Sequence, residues 1–595
     1  MSETAVSLFY ERVARHPDRV ALRVLSGHGS DSPAVTWGDW GAQARQFAAA
    51  LTASGGQPGD TVAIWAGNRP LWPIGDLGTL SAGMLSVGLY PTSAPAQVRQ
   101  ILADSVATVA VVDTKERLAG LLQVRHELPA LRTIICQDAG APGVVLWDEW
   151  LRRGADALAN GAAAEVERRI TRGTPDDIAL LIYTSGSTGE PKGARISHRY
   201  LLSSAASIGA TLGLTATDSS LSFLPFCHAA ERVFGLYTRI HAGMEAVLVE
   251  DHTRVPEAAQ RFAPTIFGGL PRFYEKAYEA LRAEQEAATG AERARWERVL
   301  ELGRERSRLR ETGGVFPAER EAEWRELGAP LFERVRSFFG GRVRMATSGG
   351  ALLPVEVTEY LDALGLTVLG AYGLTEHLCV AFNQPARYAF HSVGPVMPGS
   401  EIRIAEDGEI LVRRGPLTFS GYHGRMELTW EAFTPDGEWL CTGDLGALDD
   451  SGFLHVTGRK KELIALSTGK KVAPAPIEAR LLEHPWISQA MLYGESRKFV
   501  AALITLRPSL VEAWARGAGL AVDAAALASH PQVVARVQEA VDRVNEQLSR
   551  TEQIRRFVIL ERELSLEEDE LTPTLKIRRP VVAERFRERL DALYR

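Results

Sequence analysis

The chain has 595 residues, a length that predicts several domains rather than one. Its hydrophobic fraction of 45% and charged fraction of 24% are ordinary for globular proteins and exclude a wholly disordered chain. The formal net charge of -7 has the wrong sign for a protein that binds nucleic acid through the phosphate backbone. A nucleotide ligand would therefore need a local pocket.

The cysteines and the apolar stretches indicate in which cellular compartment the protein is expected. The first twenty residues include several charged ones, so we expect no signal peptide. The uncharged stretch 77–98 contains too many Gly, Ser and Pro residues for a membrane-spanning helix. The four cysteines lie far apart without metal-ligand spacing and indicate a reduced, cytoplasmic protein. They are Cys136, Cys227, Cys379 and Cys441.

Short β-branched runs alternate with helical patterns from residue 61 to about residue 370. The runs are TVAIW at 61, ATVAVVD at 107, RTIIC at 132, IALLIYT at 178, EAVLV at 245 and PTIFGG at 264. This alternation predicts βαβ units and largely parallel sheets. After residue 400, brief strands separated by DG and SG turns predict an antiparallel or barrel-like unit. The predicted fold class is α/β with an added β unit.

Two further segments divide the chain. Residues 275–340 carry mixed charge and few β-branched residues, with a break at Gly313 and Gly314, and they predict a solvated helical insertion at about 280–340. A strand predicted to end at Thr457 leads into a basic stretch, and a helix-rich segment follows it. We therefore place a domain boundary near Lys461, between residues 1–460 and 461–595.

The strongest local motif is YTSGSTGEPKG at 183–193, directly after an apolar strand. Glycines let backbone N–H groups approach phosphate oxygens, hydroxyl groups donate further hydrogen bonds, and a lysine adds positive charge. A Walker loop needs GxxxxGK[ST], whereas here Pro191 precedes Lys192 and Gly193 follows it. The motif predicts a nucleotide site of another kind, and a Ser- and Gly-rich surface turn is the alternative. The candidate ligands are Thr184, Ser185, Gly186, Ser187, Thr188, Gly189 and Lys192.

This loop resembles the signature of the AMP-forming adenylate-forming superfamily, which includes acyl-CoA synthetases, aryl-CoA ligases, luciferases and peptide-synthetase adenylation domains. Four further segments resemble that superfamily's motifs in the same order: AYGLTE at 371–376, TGD at 442–444, GRKKE at 458–462 and LTPTLK at 571–576. The resemblance covers essentially the whole chain. It implies a large N-terminal domain of parallel-sheet αβαβα layers with a β-barrel-like unit, followed by a small mobile α+β C-terminal domain.

The resemblance implies roles at the phosphates and the base. Glu376 would hold Mg²⁺, a role suited to a hard carboxylate ligand. Thr375 would donate to the α-phosphate and Lys192 would supply positive charge during catalysis. Tyr372 would lie against the adenine, next to Gly373. Taken alone, Glu376 could be a surface residue and Tyr372 a core residue.

Three more residues would complete the ATP site. Asp444 would accept both ribose hydroxyls, since a carboxylate offers two acceptor oxygens. Arg459 would reach the ribose or a phosphate. Lys576 would bridge the carboxylate and α-phosphate oxygens in the transition state. Taken alone, Lys576 would be an ordinary solvated lysine, and only the whole set of motifs favours the catalytic interpretation.

The second half-reaction would need a different arrangement of the same site. In the family the C-terminal domain rotates about the position that matches Lys461 and exchanges Lys576 for the loop 467–469. Gly469 and Lys470 would then contact CoA, although a Lys-Lys pair such as 470–471 is often simply surface.

The acyl site resembles that of long-chain fatty acyl-CoA synthetases in the segments LPFCHAAER at 224–232, GGLPRFYEK at 268–276 and LYPTS at 89–93. The acyl chain would pass His228, Gly268, Gly349 and Gly350, and Gly349 would also border the nucleotide. His228 could instead be a structural histidine.

The resemblance implies an enzyme, an acid-thiol ligase that uses ATP, Mg²⁺ and CoA. It would convert a hydrophobic carboxylic acid, a medium- or long-chain fatty acid, to acyl-AMP and then to acyl-CoA. The alternatives are a bulky cyclic or aryl acid as substrate, a carrier protein as acceptor, and a non-catalytic nucleotide- or acyl-binding protein. Nucleic acid is not expected as a partner, and a peripheral membrane contact is left open.

Overall fold

The computed structural model describes residues 3–25, 34–185, 191–351, 353–520, 522–572 and 576–595. Its first part alternates helices and short strands, with brief 3₁₀ and π turns between some of them. These elements are α1 Ala5–Arg15, β1 Val20–Val24, β2 Ala34–Thr36, α2 Trp37–Ala53, β3 Thr61–Trp65, α3 Leu71–Ser81, β4 Leu85–Gly88, α4 Pro95–Asp104, β5 Ala107–Val112, α5 Lys115–Val124, β6 Thr133–Cys136, β7 Val144–Leu146, α6 Trp147–Ala157, α7 Ala163–Arg172 and β8 Ile178–Ser185.

The middle part continues the alternation, inserts three long helices and ends in antiparallel strands. Its elements are β9 Pro191–Ser197, α8 His198–Leu212, β10 Ser219–Ser222, α9 Thr238–Ala242, β11 Glu245–Leu248, α10 Val255–Phe262, β12 Ile266–Gly269, α11 Pro271–Ala287, α12 Gly290–Glu311, α13 Ala318–Phe338, β13 Met345–Ser348, α14 Val355–Ala363, β14 Val368–Leu374, β15 His377–Phe382, β16 Ile402–Ile404, β17 Glu409–Arg413, α15 Met426–Glu431, β18 Trp439–Leu448 and β19 Leu454–Arg459.

The last part begins after a 3₁₀ turn at Lys460–Glu462 and builds its own small sheets. Its elements are β20 Ile464–Ala465, β21 Lys471–Val472, α16 Pro474–Leu482, β22 Ile487–Tyr493, β23 Val500–Leu506, α17 Pro508–Gly517, α18 Ala524–Ser529, α19 Pro531–Asn545, β24 Ile554–Leu560, α20 Arg579–Arg585 and α21 Arg587–Ala592.

Two large sheets form the body of the protein. The first has the strand order β7-β6-β5-β3-β4-β8-β9 and is parallel except for the β8–β9 pair. The second has the order β15-β14-β13-β12-β10-β11-β1-β2 and is parallel except at its two edges. The predicted α/β class with parallel layers is confirmed.

Alternating side chains of one strand serve two different cores, as the two-residue period of a strand requires. Val62 and Ile64 of β3 pack with helices α1–α3 and α8, in a layer that also reaches Leu248 of the second sheet. Ala63 and Trp65 of β3 pack on the opposite face with α4 and α5. The helices therefore form a middle layer and two outer layers, which is the αβαβα arrangement that the resemblance implies.

The three helices α11–α13 correspond to the predicted insertion, but they are not solvated all round. Trp296, Leu302 and Trp324 are buried together with Phe267 of the second sheet, in a core that also includes parts of α10 and α14. The opposite faces carry ion pairs such as Arg298 with Glu323. The many charged residues predicted the exposed face of these helices, but they gave no indication of the buried face.

A four-stranded antiparallel sheet, β16-β17-β18-β19, follows the second large sheet and confirms the added β unit. Its last strand continues two residues past Thr457, so that Arg459 pairs opposite Asp444 of β18. Among the described residues, no helix combines the length and the apolar character needed to cross a membrane.

Candidate nucleotide and acyl site

The predicted phosphate motif begins in β8 and ends in β9, which pair with Thr184 opposite Lys192. Ser185 is the last residue of β8. Gly186, Ser187, Thr188 and Gly189 lie outside the described residues. The strand positions fix both ends of the motif at the edge of the first sheet.

The segment 419–423 connects this edge to the predicted metal residue. The N–H group of Phe419 donates to the carbonyl of Glu376 at 2.8 Å, and that of His423 donates to the carbonyl of Gly193 at 2.7 Å. Within it, the hydroxyl of Tyr422 donates to Oε1 of Glu376 at 2.5 Å, and Nζ of Lys192 lies 5.6 Å from the centroid of the Tyr422 ring. Lys192 and Glu376 thus both lie next to Tyr422, one over its ring and the other at its hydroxyl.

Tyr422 is held strongly in its protonated form. Burial, and then the negative charge of Glu376, raise the pKa of its phenol. The hydroxyl therefore remains a donor that orients the carboxylate. Tyr422 was not among the predicted site residues, and its only signal in the sequence was its position in the variant segment FSGY.

The arrangement at Glu376 fits a magnesium ion shared with phosphate. Among the residues that the structure describes, no group of three or more His, Cys, Asp or Glu side chains could hold a metal ion. Mg²⁺ in nucleotide sites commonly needs only one or two carboxylates besides phosphate oxygens and water. Glu376 can supply one such carboxylate through the oxygen that does not bind Tyr422.

The motif 371–376 covers the end of β14 and the turn into β15. Tyr200 of α8 fixes this turn: its hydroxyl donates to the carbonyl of Thr375 at 3.1 Å and accepts the N–H group of Leu378 at 3.1 Å. A Cβ on Gly373 would lie 1.8 Å from the carbonyl oxygen of Leu378, so only glycine fits there. The tight turn explains why Gly373 stands between Tyr372 and Thr375.

Asp444 is the most enclosed carboxylate of the candidate site, with 4% exposure. Its Oδ2 accepts the hydroxyl of Tyr372 at 2.6 Å, and its Oδ1 lies 2.9 Å from Nε of Arg459. Burial and the adjacent carboxylate raise the pKa of Tyr372 well above its usual value. Three residues from three predicted motifs therefore meet at one point.

Glu409 is a second residue that the sequence analysis missed. Its Oε1 accepts a hydrogen bond from the N–H group of Gly443 at 2.8 Å, and its Oε2 accepts one from Nζ of Lys460 at 2.8 Å. It thereby ties the part of β18 that carries Asp444 to the segment next to Lys461. No signal in the sequence marked it, because it occurs as an ordinary acidic residue at the start of β17.

Lys576 of the last motif extends into the same region. Crowding by protein atoms, and then the positive charge of Arg459, lower the pKa of its ammonium group, while Asp444 and Glu462 oppose that shift. Burial lowers the pKa of His228 to about 4, and the positive charge of Lys576 adds to this effect. His228 is therefore neutral near pH 7, and its Nδ1 accepts the N–H group of Ala230 at 3.2 Å.

The predicted acyl residues lie at adjoining strand ends of the second sheet. Gly268 of β12 pairs opposite Thr347 of β13, and Gly349 and Gly350 follow β13 directly. A Cβ on Gly349 would meet only Ala371, at 3.8 Å, and Gly350 has a left-handed φ of 81°. These glycines leave space beside β14, the strand that carries Tyr372.

The predicted CoA residues are not brought into this cluster. Gly469 and Lys470 lie in the exposed turn between β20 and β21, where the N–H group of Leu466 donates to the carbonyl of Lys470 at 2.9 Å. Lys461 lies in the 3₁₀ turn between the antiparallel sheet and β20. The arrangement therefore combines Lys576 with the nucleotide residues and leaves the loop 467–470 outside.

Comparison with known proteins identifies the family. The model for AMP-binding enzymes matches residues 9–423, and the model for the AMP-binding enzyme C-terminal domain matches residues 461–595. The long-chain-fatty-acid–CoA ligase FadD15 of Mycobacterium tuberculosis is 35% identical over 603 residues, which cover 100% of this chain and 97% of the relative. The long-chain-fatty-acid–CoA ligase ACSBG2 of Xenopus laevis is 29% identical, with coverage of 99% and 84%.

Solved structures agree on the fold. The anthranilate CoA ligase AuaEII in complex with anthranoyl-AMP superimposes with a TM-score of 0.74 at 20% identity, covering 99% of this chain and 98% of that chain. The A-PCP didomain of a carboxylic acid reductase from Segniliparus rugosus, in complex with AMP, gives 0.73 at 22% identity, with coverage of 100% and 82%. With a family model over most of its length and a full-length relative at 35% identity, this chain belongs to the AMP-binding enzymes.

Proposed function

We propose that the protein is an AMP-forming acid-thiol ligase that activates a fatty acid, of medium or long chain, and transfers it to CoA. The observation that carries this proposal is the position of Lys576, whose ammonium group interacts with Asp444 and Arg459 and with His228. A single cation is thus close enough to act electrostatically on residues of both the predicted nucleotide set and the predicted acyl set. Such a position is where the carboxylate of an acid and the α-phosphate of ATP have to meet.

In the first half-reaction, a carboxylate oxygen attacks the α-phosphorus and the bond to the β-phosphate oxygen breaks, so that pyrophosphate leaves with the electron pair. Two anions must approach each other, and positive charge placed at their contact lowers the barrier. Lys576 supplies that charge, and Lys192 supplies charge at the phosphate loop. Thr375 donates to the α-phosphate.

The nucleotide is held by the groups around Asp444. Each carboxylate oxygen of Asp444 has a lone pair left after its contact with Tyr372 or Arg459. With that lone pair it accepts a hydrogen bond from one ribose hydroxyl. Tyr372 lies against the adenine, and Arg459 reaches the ribose or a phosphate. Glu376 would hold Mg²⁺, and the ion would neutralise charge on the phosphates.

In the second half-reaction, the thiolate of CoA attacks the acyl carbon and the bond to AMP breaks. We propose that residues 461–595 turn about Lys461 relative to residues 1–460, so that Lys576 leaves and the turn with Gly469 and Lys470 replaces it. Support comes from the exposed turn and from the separate hydrophobic cores of the last part of the chain. A domain movement of this kind is an ordinary hinge motion.

The acid is proposed to pass His228, Gly268, Gly349 and Gly350. The choice of a fatty acid is supported by the relatives named long-chain-fatty-acid–CoA ligases, one of which matches this chain over its whole length. His228 is uncharged near neutral pH and suits an apolar substrate. The four free cysteines suit a cytoplasmic enzyme.

Product analysis tests the proposal. The purified protein is incubated with MgATP, CoA and a panel of saturated, aryl and polycyclic acids, and the products are identified by mass spectrometry. Acyl-CoA and AMP from saturated acids are expected. AMP formation only with aryl or polycyclic acids would refute the fatty-acid substrate, acyl-AMP without thioester would point to a carrier-protein acceptor, and no AMP with any acid would refute the ligase.

A further inference from the structure

Four charged side chains alternate in sign where α11 meets the C-terminal part of the protein. They form a chain in the order Arg507, Glu279, Arg272 and Glu563, which we call the interdomain charge chain. Nη1 of Arg507 lies 2.8 Å from Oε1 of Glu279, the same oxygen lies 3.3 Å from Nη1 of Arg272, and Nη2 of Arg272 lies 3.6 Å from Oε1 of Glu563. The interdomain charge chain therefore crosses twice between residues 1–460 and residues 461–595.

Arg507 is the most constrained member of the chain. Its side chain is only 2% exposed, and Nε donates to the carbonyl of Ile487 at 2.9 Å within the C-terminal part. Its own N–H group donates to the carbonyl of Trp486 at 2.8 Å. The guanidinium cannot swing out to solvent without breaking the bond from Nε, so it depends on a carboxylate brought to it by the other part.

Glu279 is that carboxylate, and it is itself only 15% exposed. A buried charge that loses its partner is strongly disfavoured, because it keeps the cost of desolvation without the compensating attraction. Turning the C-terminal part away from α11 would separate Arg507 from Glu279 and Glu563 from Arg272. The orientation seen here is therefore the one that the charge chain favours.

The same helix borders the acyl site. α11 begins at Pro271, three residues after Gly268, and Arg272 lies in its first turn. At the other end of the contact, Glu563 also accepts the hydroxyl of Ser488 in β22. The chain thus links a wall of the proposed acyl site to the sheet of the C-terminal part.

We propose that the interdomain charge chain positions Lys576 for adenylation, by holding the C-terminal part in the orientation in which Lys576 interacts with Asp444 and His228. This inference rests on the proposed function, because it assigns the charge chain to one of its two half-reactions. Arg507, Glu279, Arg272 and Glu563 are positioning residues, since they act through Lys576 and touch no substrate.

The test separates the two half-reactions in the variant Glu279→Gln. Adenylation is measured as acid-dependent exchange of pyrophosphate into ATP, and thioester formation is measured from synthetic acyl-AMP and CoA. We expect roughly tenfold slower adenylation, as for loss of a close interfacial ion pair, with thioester formation unchanged or faster. The matched control is Glu286→Gln, an exposed glutamate on the same helix, which should change neither rate.

A double-mutant cycle with Arg272→Gln and Glu563→Gln tests the second crossing. If the two residues act together, the double variant slows adenylation less than the product of the two single effects. Equal losses in both half-reactions, or strictly independent effects of the two substitutions, would overturn the proposal, since a merely structural role predicts them.

Cleavage by trypsin at the hinge, residues 459–461, gives a readout without activity. Glu279→Gln should be cleaved several-fold faster than the unmodified protein and than Glu286→Gln, because the C-terminal part is released more often. Equal cleavage rates would count against the charge chain. Absence of any acid-dependent exchange in the unmodified protein would instead refute the proposed function, and the cleavage rates would still decide whether the charge chain restrains the C-terminal part.

Discussion

The two groups of residues that make up the candidate site differ in how they are held. Asp444, Glu376 and Thr375 are fixed by short hydrogen bonds from Tyr372, Tyr422 and Tyr200, all within residues 1–460. Lys576 and the turn with Gly469 and Lys470 belong to exposed segments of the C-terminal part. This difference fits the proposal that residues 1–460 hold the nucleotide in a preformed site and that residues 461–595 bring Lys576 to it.

The largest expected effect comes from removing Lys576, the proposed catalytic cation. Lys576→Ala should slow adenylation by roughly 10²–10³-fold, as for loss of a donor that acts mainly in the transition state, and should leave the Kd for ATP nearly unchanged. Pyrophosphate exchange and calorimetric titration measure the two quantities. Lys498→Ala, at an exposed lysine of the same part of the protein, is the control. Equal weakening of ATP binding would place Lys576 in the preformed group instead.

Asp444→Ala should instead weaken ATP binding more than it lowers the maximal rate. Loss of a carboxylate that binds the ribose removes charge-assisted hydrogen bonds of about 1.5–3 kcal/mol and should raise the Kd for ATP by roughly 10–100-fold. Tyr372→Phe removes only the hydroxyl that orients Asp444 and should have a smaller effect in the same direction. A larger effect on the maximal rate than on ATP affinity would contradict the role of Asp444 in binding.

Lys461→Pro tests the proposed hinge between residues 1–460 and residues 461–595. Proline fixes φ and stiffens the proposed hinge, so we expect roughly tenfold slower thioester formation from acyl-AMP with adenylation largely kept. The comparison is made with the two half-reaction assays. If both half-reactions slow to the same degree, the substitution has damaged the fold and the hinge assignment loses its support.

The last prediction concerns the acid stability of residues 1–460. His377 is 1% exposed, its ring contacts Ser400 and Thr418, and burial lowers its pKa to about 4. The unfolded chain gains a proton near pH 6.5 that the folded protein does not accept until about pH 4, so stability falls as the pH decreases between these values.

In His377→Gln this pH dependence should be weaker by up to about 1.4 kcal/mol per pH unit. Urea unfolding at pH 7 and pH 5 measures it, with His126→Gln at an exposed surface position as the control. An unchanged slope in His377→Gln would mean that the buried ring accepts its proton without loss of the fold.

The sequence predicted much of the fold and less of the site geometry. The strands at 61, 107, 132, 178, 245 and 264 are all observed, because continuous β-branched runs are typical of buried parallel strands. Which of these strands join which of the two sheets was not predicted, since pairing partners are set by contacts between residues remote in the chain. The buried face of α12 was also missed, because its many charges obscure the positions of Trp296 and Leu302.

Within the candidate site, the sequence pointed to the motif residues but not to the residues that hold them in place. Tyr422 and Glu409 have no distinctive local pattern, and their importance comes from reaching Glu376 and Gly443 across the fold. The same holds for Arg507 and Glu279, which lie in ordinary charged segments. Such residues can be recognised only from the contact itself.

The sequence by itself determined which chemical groups are present, their order, and the elements that carry them, because glycine turns, apolar periods and motif spacing are local properties. Only the tertiary structure decided that Lys576, rather than the turn with Gly469 and Lys470, extends into the nucleotide residues. That choice depends on how two parts of the protein lie against each other. The physical reason is that contacts between residues far apart in the sequence, such as Arg507 with Glu279, depend on distance and burial, which local sequence patterns do not encode.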